Sequence, residues 1–404
     1  MNPYLTALQQ TDIYERLLRL KGRHFSDVTD REGFQYVDLV QEGGGVLGIA
    51  LVGYTYVLEQ AGIRFFSLAG TSAGAINTLL LASLGKISDA KSERILELLA
   101  NQNLIEFVDG DASVRKLVQQ FIRNAPFKIV TLALNALKLL RILKTKLGLN
   151  PGNLFERWLI EALRQAGVTT LDDLEARRKI LPAGLTHRSG EDLSNAVAKL
   201  VIITSDITTH TKVEFPRMAN LYWANPGNVS PALLVRASMS IPFFFEPYQV
   251  NNIPNHPEQA KWWDEYARYT GPIPPAVKFV DGGMLSNFPI NVFHRTDGKL
   301  PTRPTFGVRL SAYRENYSKV NNLFSFSGAM ISTMRQIHDY DFLMKNPEYR
   351  KLICRIDADQ EFNWLDFEMS EKEKEKLFVL GAQKAIEFLE CFCWEDYKTL
   401  RAEL

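Results

Sequence analysis

A chain of 404 residues, 46% hydrophobic and 23% charged, has room for one large α/β domain or two ordinary ones. Its 47 Lys and Arg against 46 Asp and Glu leave a net charge of +1, which excludes a surface built for nucleic acid and confines any attraction to anions to local patches. Asp12, Glu15 and Arg16 interrupt the stretch where a signal peptide needs an apolar run, and no segment nears the roughly twenty apolar residues of a membrane span, so the expected location is cytoplasmic.

Residues 1–33 read as a mixed-charge helical lead-in, with Tyr14, Leu17, Leu18 and Leu20 as a loose apolar stripe. Residues 34–40 are strand-like and run into Gly43-Gly44-Gly45-Val46-Leu47-Gly48; residues 46–60 read as a helix leaving that cluster. Residues 65–69 are a second strand-like run, into Gly70-Thr71-Ser72-Ala73-Gly74, with a helix over 75–84 and Gly85 as its stop. Residues 87–180 are helix-like and form a cap, with a turn at Asn150-Pro151-Gly152. A buried strand over 199–205 and its hairpin partner over 212–215 come next, then an insertion over 250–275 that carries Trp262-Trp263. Strand-like runs at 277–280, 305–310 and 352–356 precede a terminal helix that Ser370 and Glu373 open as a capping box. The alternation predicts a three-layer α/β/α fold around a mostly parallel sheet, with residues 34–295 as catalytic domain and 296–404 completing it.

Gly70–Gly74 has the G-x-S-x-G spacing that holds a nucleophilic serine on a sharp strand-to-helix turn, a nucleophile elbow; the glycines keep the turn free of clashes. The first cluster supplies backbone N–H groups that can meet a developing oxyanion, from Gly44 and Gly45, joined by Ala73 of the elbow. Asp281-Gly282-Gly283 ends a later apolar run and places a carboxylate where glycines allow close approach. Together the three imply serine acyl hydrolysis. A dinucleotide site would instead need an acidic residue at the end of the second strand, where Ser67-Leu68-Ala69-Gly70 has none.

With Gly43 to Gly48, Ser72 and Asp281 in this order, residues 34–295 resemble the patatin-like phospholipase family, as do Arg236-Ala-Ser-Met-Ser-Ile-Pro242 and Asp281-Gly-Gly-Met-Leu-Ser-Asn-Phe-Pro289. The wording is nearest bacterial members; Leu47 departs from the Lys or Arg that many of them carry there. The resemblance implies Ser72 as nucleophile, Asp281 as its proton acceptor, no metal or other cofactor, and phospholipase A or lysophospholipase action on membrane glycerophospholipids. It also leaves room for a protein or small-molecule activator.

A Ser-Asp-His esterase is the competing mechanism, with His294 or His338 as base. A catalytically silent lipid- or partner-binding module on the same fold is the other reading. Cys354, Cys391 and Cys393 are expected as reduced core residues, since they lack the second pair of a zinc site. Residues 126–149 carry Lys128, Lys138, Arg141, Lys144 and Lys146 without an acidic residue, opposite a leucine face, the pattern of a helix lying on an anionic membrane. Trp262 and Trp263 are a second candidate for membrane contact.

Overall fold

The computed structural model describes residues 2–112, 129–297, 299–312, 317, 320 and 323–403. Twelve strands are described: β1 (Val28–Thr29), β2 (Gln35–Gln41), β3 (Ile63–Thr71), β4 (Gly148–Asn150), β5 (Thr186–His187) and β6 (Leu200–Asp206), then β7 (Thr211–Phe215), β8 (Phe243–Phe245), β9 (Tyr248–Asn251), β10 (Ala276–Asp281), β11 (Thr305–Arg309) and β12 (Ile353–Arg355). The main sheet runs β12-β11-β2-β3-β6-β10-β9, and its first five members are parallel. All nine residues of β3 are buried, as fits a central parallel strand covered on both faces. Helices flank the sheet, giving the three-layer α/β/α fold.

The sheet departs from simple parallel order where it matters. β7 pairs antiparallel with β6 over Ile202–Asp206, occupying one edge of that strand. A strand has only two hydrogen-bonding edges. The opposite edge is therefore shared: β3 pairs along it as far as Thr71↔Ile203, and antiparallel β10 takes over at Asp281↔Thr204. The carboxyl ends of β3 and β10 meet head to head. A mostly parallel sheet leads to the expectation that Asp281 ends one more strand of the same sense; instead it arrives from the opposite direction, because β6 outruns β3 and leaves an open edge for β10.

Two long helices close one face. Gly48–Gln60 follows the first glycine cluster, and Glu371–Cys391 packs on it at a distance that glycine permits. A Cβ on Gly53 would stand 2.1 Å from the Phe378 carbonyl, and one on Gly381 would stand 1.9 Å from that of Ala50. The expected Ser370–Glu373 capping box opens the helix Glu371–Cys391, but that helix is not the last: Trp394–Ala402 follows it. The lead-in is helical over Pro3–Gln9 and Ile13–Arg19, but its buried stripe is Tyr4, Leu8, Ile13 and Leu20, while Leu18 is exposed. Arg16 grips Glu390 with two hydrogen bonds, tying the first residues to the last long helix.

Two expectations fail here. Cys354 is buried, but Cys391 and Cys393 are exposed, because they flank the turn between the long helix Glu371–Cys391 and the last helix, Trp394–Ala402. The 250–275 insertion is structured: it holds the end of edge strand β9 and a helix over Gln259–Ala267. Trp263 of that helix is fully buried against Tyr222 and Tyr269, so it packs against the body instead of meeting a membrane. No described helix is long and apolar enough to cross a membrane.

Candidate active site

Ser72 sits between β3 and the helix Ala73–Ser83 with φ 52° and ψ −118°. A positive φ costs a side-chain-bearing residue of order 1–3 kcal/mol and persists where the surroundings over-determine it. They do so here. A Cβ on Gly70 would stand 2.4 Å from the Gly74 carbonyl, and one on Gly74 would stand 2.3 Å from that of Gln41, so neither glycine can be replaced without opening the turn. The Ser72 N–H donates to Ser238 Oγ at 2.9 Å, and that hydroxyl donates on to the Ile203 carbonyl at 2.6 Å. Ser238 closes the helix Pro231–Ser238, and two residues later the Ser240 carbonyl accepts the Asp281 N–H at 2.8 Å. One short segment thus anchors both the elbow and the end of β10.

Asp281 is buried and its Oδ1 accepts the Gly283 N–H at 2.7 Å. Gly282 is pressed against β6 and the end of the elbow strand: a Cβ there would lie 2.1 Å from the Ile203 carbonyl and 3.0 Å from Thr71 Cγ2. Beyond it, Thr71 Oγ1 donates to the Ser286 carbonyl, and Asn287 makes a reciprocal pair with Gly43: Gly43 N–H to the Asn287 carbonyl and Asn287 Nδ2 to the Gly43 carbonyl, both 3.1 Å. The Asp281 loop is therefore clasped to the elbow and to the glycine cluster at once. Asp339 backs the clasp, accepting from Phe288 N–H and Ser286 Oγ; burial raises its pKa to about 7.

The glycine cluster bends sharply after β2, with Gly45 at φ 56°. Glu42 anchors it from behind, accepting from the N–H groups of Leu310 and Ser311 and from Arg309. Gly43 N–H is spent on Asn287 and Val46 N–H on the Trp364 carbonyl. Among the described residues, the N–H groups of Gly44 and Gly45 meet no acceptor. Gly45, Ala73 and Ser72 line one cavity, whereas Gly43 and Gly44 border a second, polar one on the other side of the loop. Gly48 packs on Ala73 and brings the two turns together.

The cavity at Ser72 is walled almost wholly by apolar side chains, among them Ile49, Ile76, Leu80, Met239, Ile241 and Phe245. Phe367 completes the wall, stacked on Phe244 with ring centroids 5.3 Å apart. Trp364 and Phe367 bring a C-terminal loop to the site that the sequence reading left out; neither is a catalytic residue type, so no motif marked them. Ser238 and Asn287 lie in the two further stretches that resemble the family, where residue type alone assigns them no role.

Gly45→Val tests this loop. The new side chain would meet a positive φ and put its Cβ 2.1 Å from the Trp364 carbonyl, so the donors must move. Loss of one such donor costs about 10²–10³ in rate. A fall of that size in turnover of a soluble ester is expected, with the circular dichroism spectrum retained; unchanged turnover would place the oxyanion elsewhere.

The histidine alternative finds little support in the geometry. His294 Nδ1 bonds Tyr349 Oη at 2.9 Å, and its ring packs on Phe342. Tyr349 borders a different cavity, shared with Asp38, Ser67, Arg303 and Arg401 and with neither Ser72 nor Asp281. The side chain of His338 lies outside the described residues.

Residues 39–294 match the model of the patatin-like phospholipase family. The chain belongs to that family. A relative from Bacillus subtilis (strain 168), the uncharacterized protein YqhO, is 32% identical over 356 residues, covering 88% of this chain and 98% of its own length. Among solved structures, VipD from Legionella pneumophila is similar at 13% identity and a TM-score of 0.41, over 92% of this chain and 71% of that one. The type III effector ExoU is similar at 14% and 0.38, over 90% and 54%. At those values the structural likenesses add nothing to the assignment, which stands on the family match and the Bacillus relative.

Proposed function

We propose that this patatin-like protein is a serine acyl hydrolase that cleaves carboxylic esters of membrane glycerophospholipids, with Ser72 as nucleophile and Asp281 as its base. The observation that carries the reading is the strained Ser72 elbow opening on an apolar cavity. Such a cavity suits a fatty acyl chain, since each buried methylene contributes about 0.8 kcal/mol.

The steps follow from the residues. Serine is a weak nucleophile until a base takes its proton. Asp281 pairs with the position on β6 next to the one that pairs with Thr71, so the end of β10 abuts the end of the elbow strand, and this supports the buried Asp281 as the group that takes the Ser72 proton. Ser72 Oγ attacks the ester carbonyl and Asp281 receives the proton. The oxyanion is held by N–H groups of Gly45 and Ala73, with Gly44 as the third donor. Asp281 then gives the proton to the departing alcohol, and water, activated by the same carboxylate, releases the fatty acid.

Contact with the bilayer is proposed for the basic helix. It is helical over Ile129–Lys146, and residues 126–128, like the side chains of 129–137, lie outside those described. Lys138 pairs with Asp111 and Lys146 with Glu246, so less of the basic stripe faces outward than the bare sequence implies. Arg141 and Lys144 are exposed, with Leu140 exposed beside them.

Both parts are tested on vesicles of phosphatidylcholine and phosphatidylglycerol. The protein is expected to release free fatty acid from them. Changing Arg141 and Lys144 together to Gln is expected to lower co-sedimentation about thirtyfold, from about 1 kcal/mol per basic residue near an anionic surface. Binding without fatty acid release would favour the silent module. Equal sedimentation of variant and wild type would leave the helix as an ordinary cap.

A further inference from the structure

The Ser72 cavity follows the helix Ala73–Ser83: Ala73, Ile76, Asn77 and Leu80 line it at successive turns, a run of about 10 Å from the nucleophile. At the far end stand Phe107, Phe155 and Trp158, in mutual ring contact at centroid distances of 5.3, 5.2 and 6.0 Å. A second pocket, of about 430 Å³ and open to solvent along Glu97, Asn101, Glu161 and Gln165, borders the first at Trp158. On each bordering helix the lining passes from one cavity to the next. Leu80 gives way to Leu84, one turn on and just past the elbow helix; Ile95 and Leu99 of the helix Ser92–Ala100 face the first, and Arg94 and Leu98 the second. In the helix Asn153–Gln165, Phe155 lines the first cavity and Ala162 the second.

Trp158 lines both, and among the described residues it is the side chain the two cavities share. We propose that Trp158 is the end wall of the acyl site and sets the longest fatty acyl chain the enzyme accepts. The inference rests on the hydrolase reading above. Beyond the indole the walls turn polar, with Glu97, Asn101, Gln102, Glu161 and Gln165. A chain that fits short of Trp158 is buried along its whole length. A longer one must either buckle or displace the indole from its ring contacts with Phe107 and Phe155. Removing the indole joins the two cavities, and the extra methylenes then enter space lined in part by Leu84, Leu98 and Ala162. Burial of each favours binding about fourfold.

The test is a series of p-nitrophenyl esters, butanoyl, octanoyl, dodecanoyl and hexadecanoyl, dispersed in detergent. Wild type is expected to favour the middle of the series over hexadecanoyl. Trp158→Ala is expected to raise the hexadecanoyl-to-octanoyl ratio of kcat/KM at least tenfold. Trp158→Leu, which keeps more of the core filled, is expected to move the ratio in the same direction by less, and it serves if the alanine variant does not fold. An unchanged ratio in a folded, active variant, or equal loss on every ester, would overturn the end-wall assignment and return Trp158 to packing. If wild type hydrolyses none of the esters and takes up no fluorophosphonate label, the hydrolase reading itself has failed.

Discussion

Ser72→Ala should abolish ester hydrolysis and labelling by a fluorophosphonate while leaving the fold in place. Without the hydroxyl no acyl-enzyme can form, and loss of a serine nucleophile in comparable hydrolases costs on the order of 10⁶ in turnover. Stability should change little, for a structural reason. The elbow is held by backbone contacts of Gly70 and Gly74 and by the bond from the Ser72 N–H to Ser238 Oγ, none of which uses the Ser72 hydroxyl. Alanine carries the same φ penalty as serine. The thermal midpoint should therefore shift by no more than a few degrees, as for about 1 kcal/mol in a large domain. Residual turnover above a few per cent of wild type, in a preparation free of contaminating esterase, would remove Ser72 from the mechanism.

Asp281→Asn should also cost most of the activity, though less than Ser72→Ala, and fold equally well. The carboxylate accepts the Gly283 N–H at 2.7 Å, and an amide oxygen can accept the same bond, so the turn into Gly282-Gly283 keeps its geometry. What is lost is the proton acceptor: an amide cannot take the Ser72 proton or return it to the leaving alcohol. General acid–base catalysis contributes about 10²–10⁴, and a loss in that range is expected in kcat for a soluble ester. His294→Ala provides the contrast. Its imidazole is bonded to Tyr349 away from the elbow, and burial holds its pKa below that of an exposed histidine, so most activity should survive the change. Equal losses in the Asp281 and His294 variants would replace the dyad with a triad.

Much of this site was legible from residue types alone, since the chemistry prescribes them locally. A serine nucleophile on a tight turn needs small neighbours within two residues, and Gly70-Thr-Ser-Ala-Gly74 spells that out; the contacts of Gly70 and Gly74 with neighbouring carbonyls are the physical content of the spacing. The strands on either side of the glycine turns, the hairpin of β6 and β7 and the capping box at Ser370 were likewise legible, because each rests on interactions within a few residues. Long-range matters were not. Arg16 meets Glu390, Asn287 meets Gly43, and Trp364 meets Val46 across most of the chain, and no local pattern encodes such a pairing.

The sequence by itself determined that a serine on a tight strand-to-helix turn, a glycine-rich turn and a glycine-flanked carboxylate exist, because hydrophobic periodicity and glycine spacing act over a single turn or strand. Only the tertiary structure decided that they converge. β6 extends past β3, and the edge left over captures β10 antiparallel, which brings the Asp281 end of β10 against the Thr71 end of β3. The same holds for the apolar walls of the cavity and for Trp158 at its end. Apolar side chains on separate helices line a common space only where packing leaves one, and that is decided by how whole helices lie against each other.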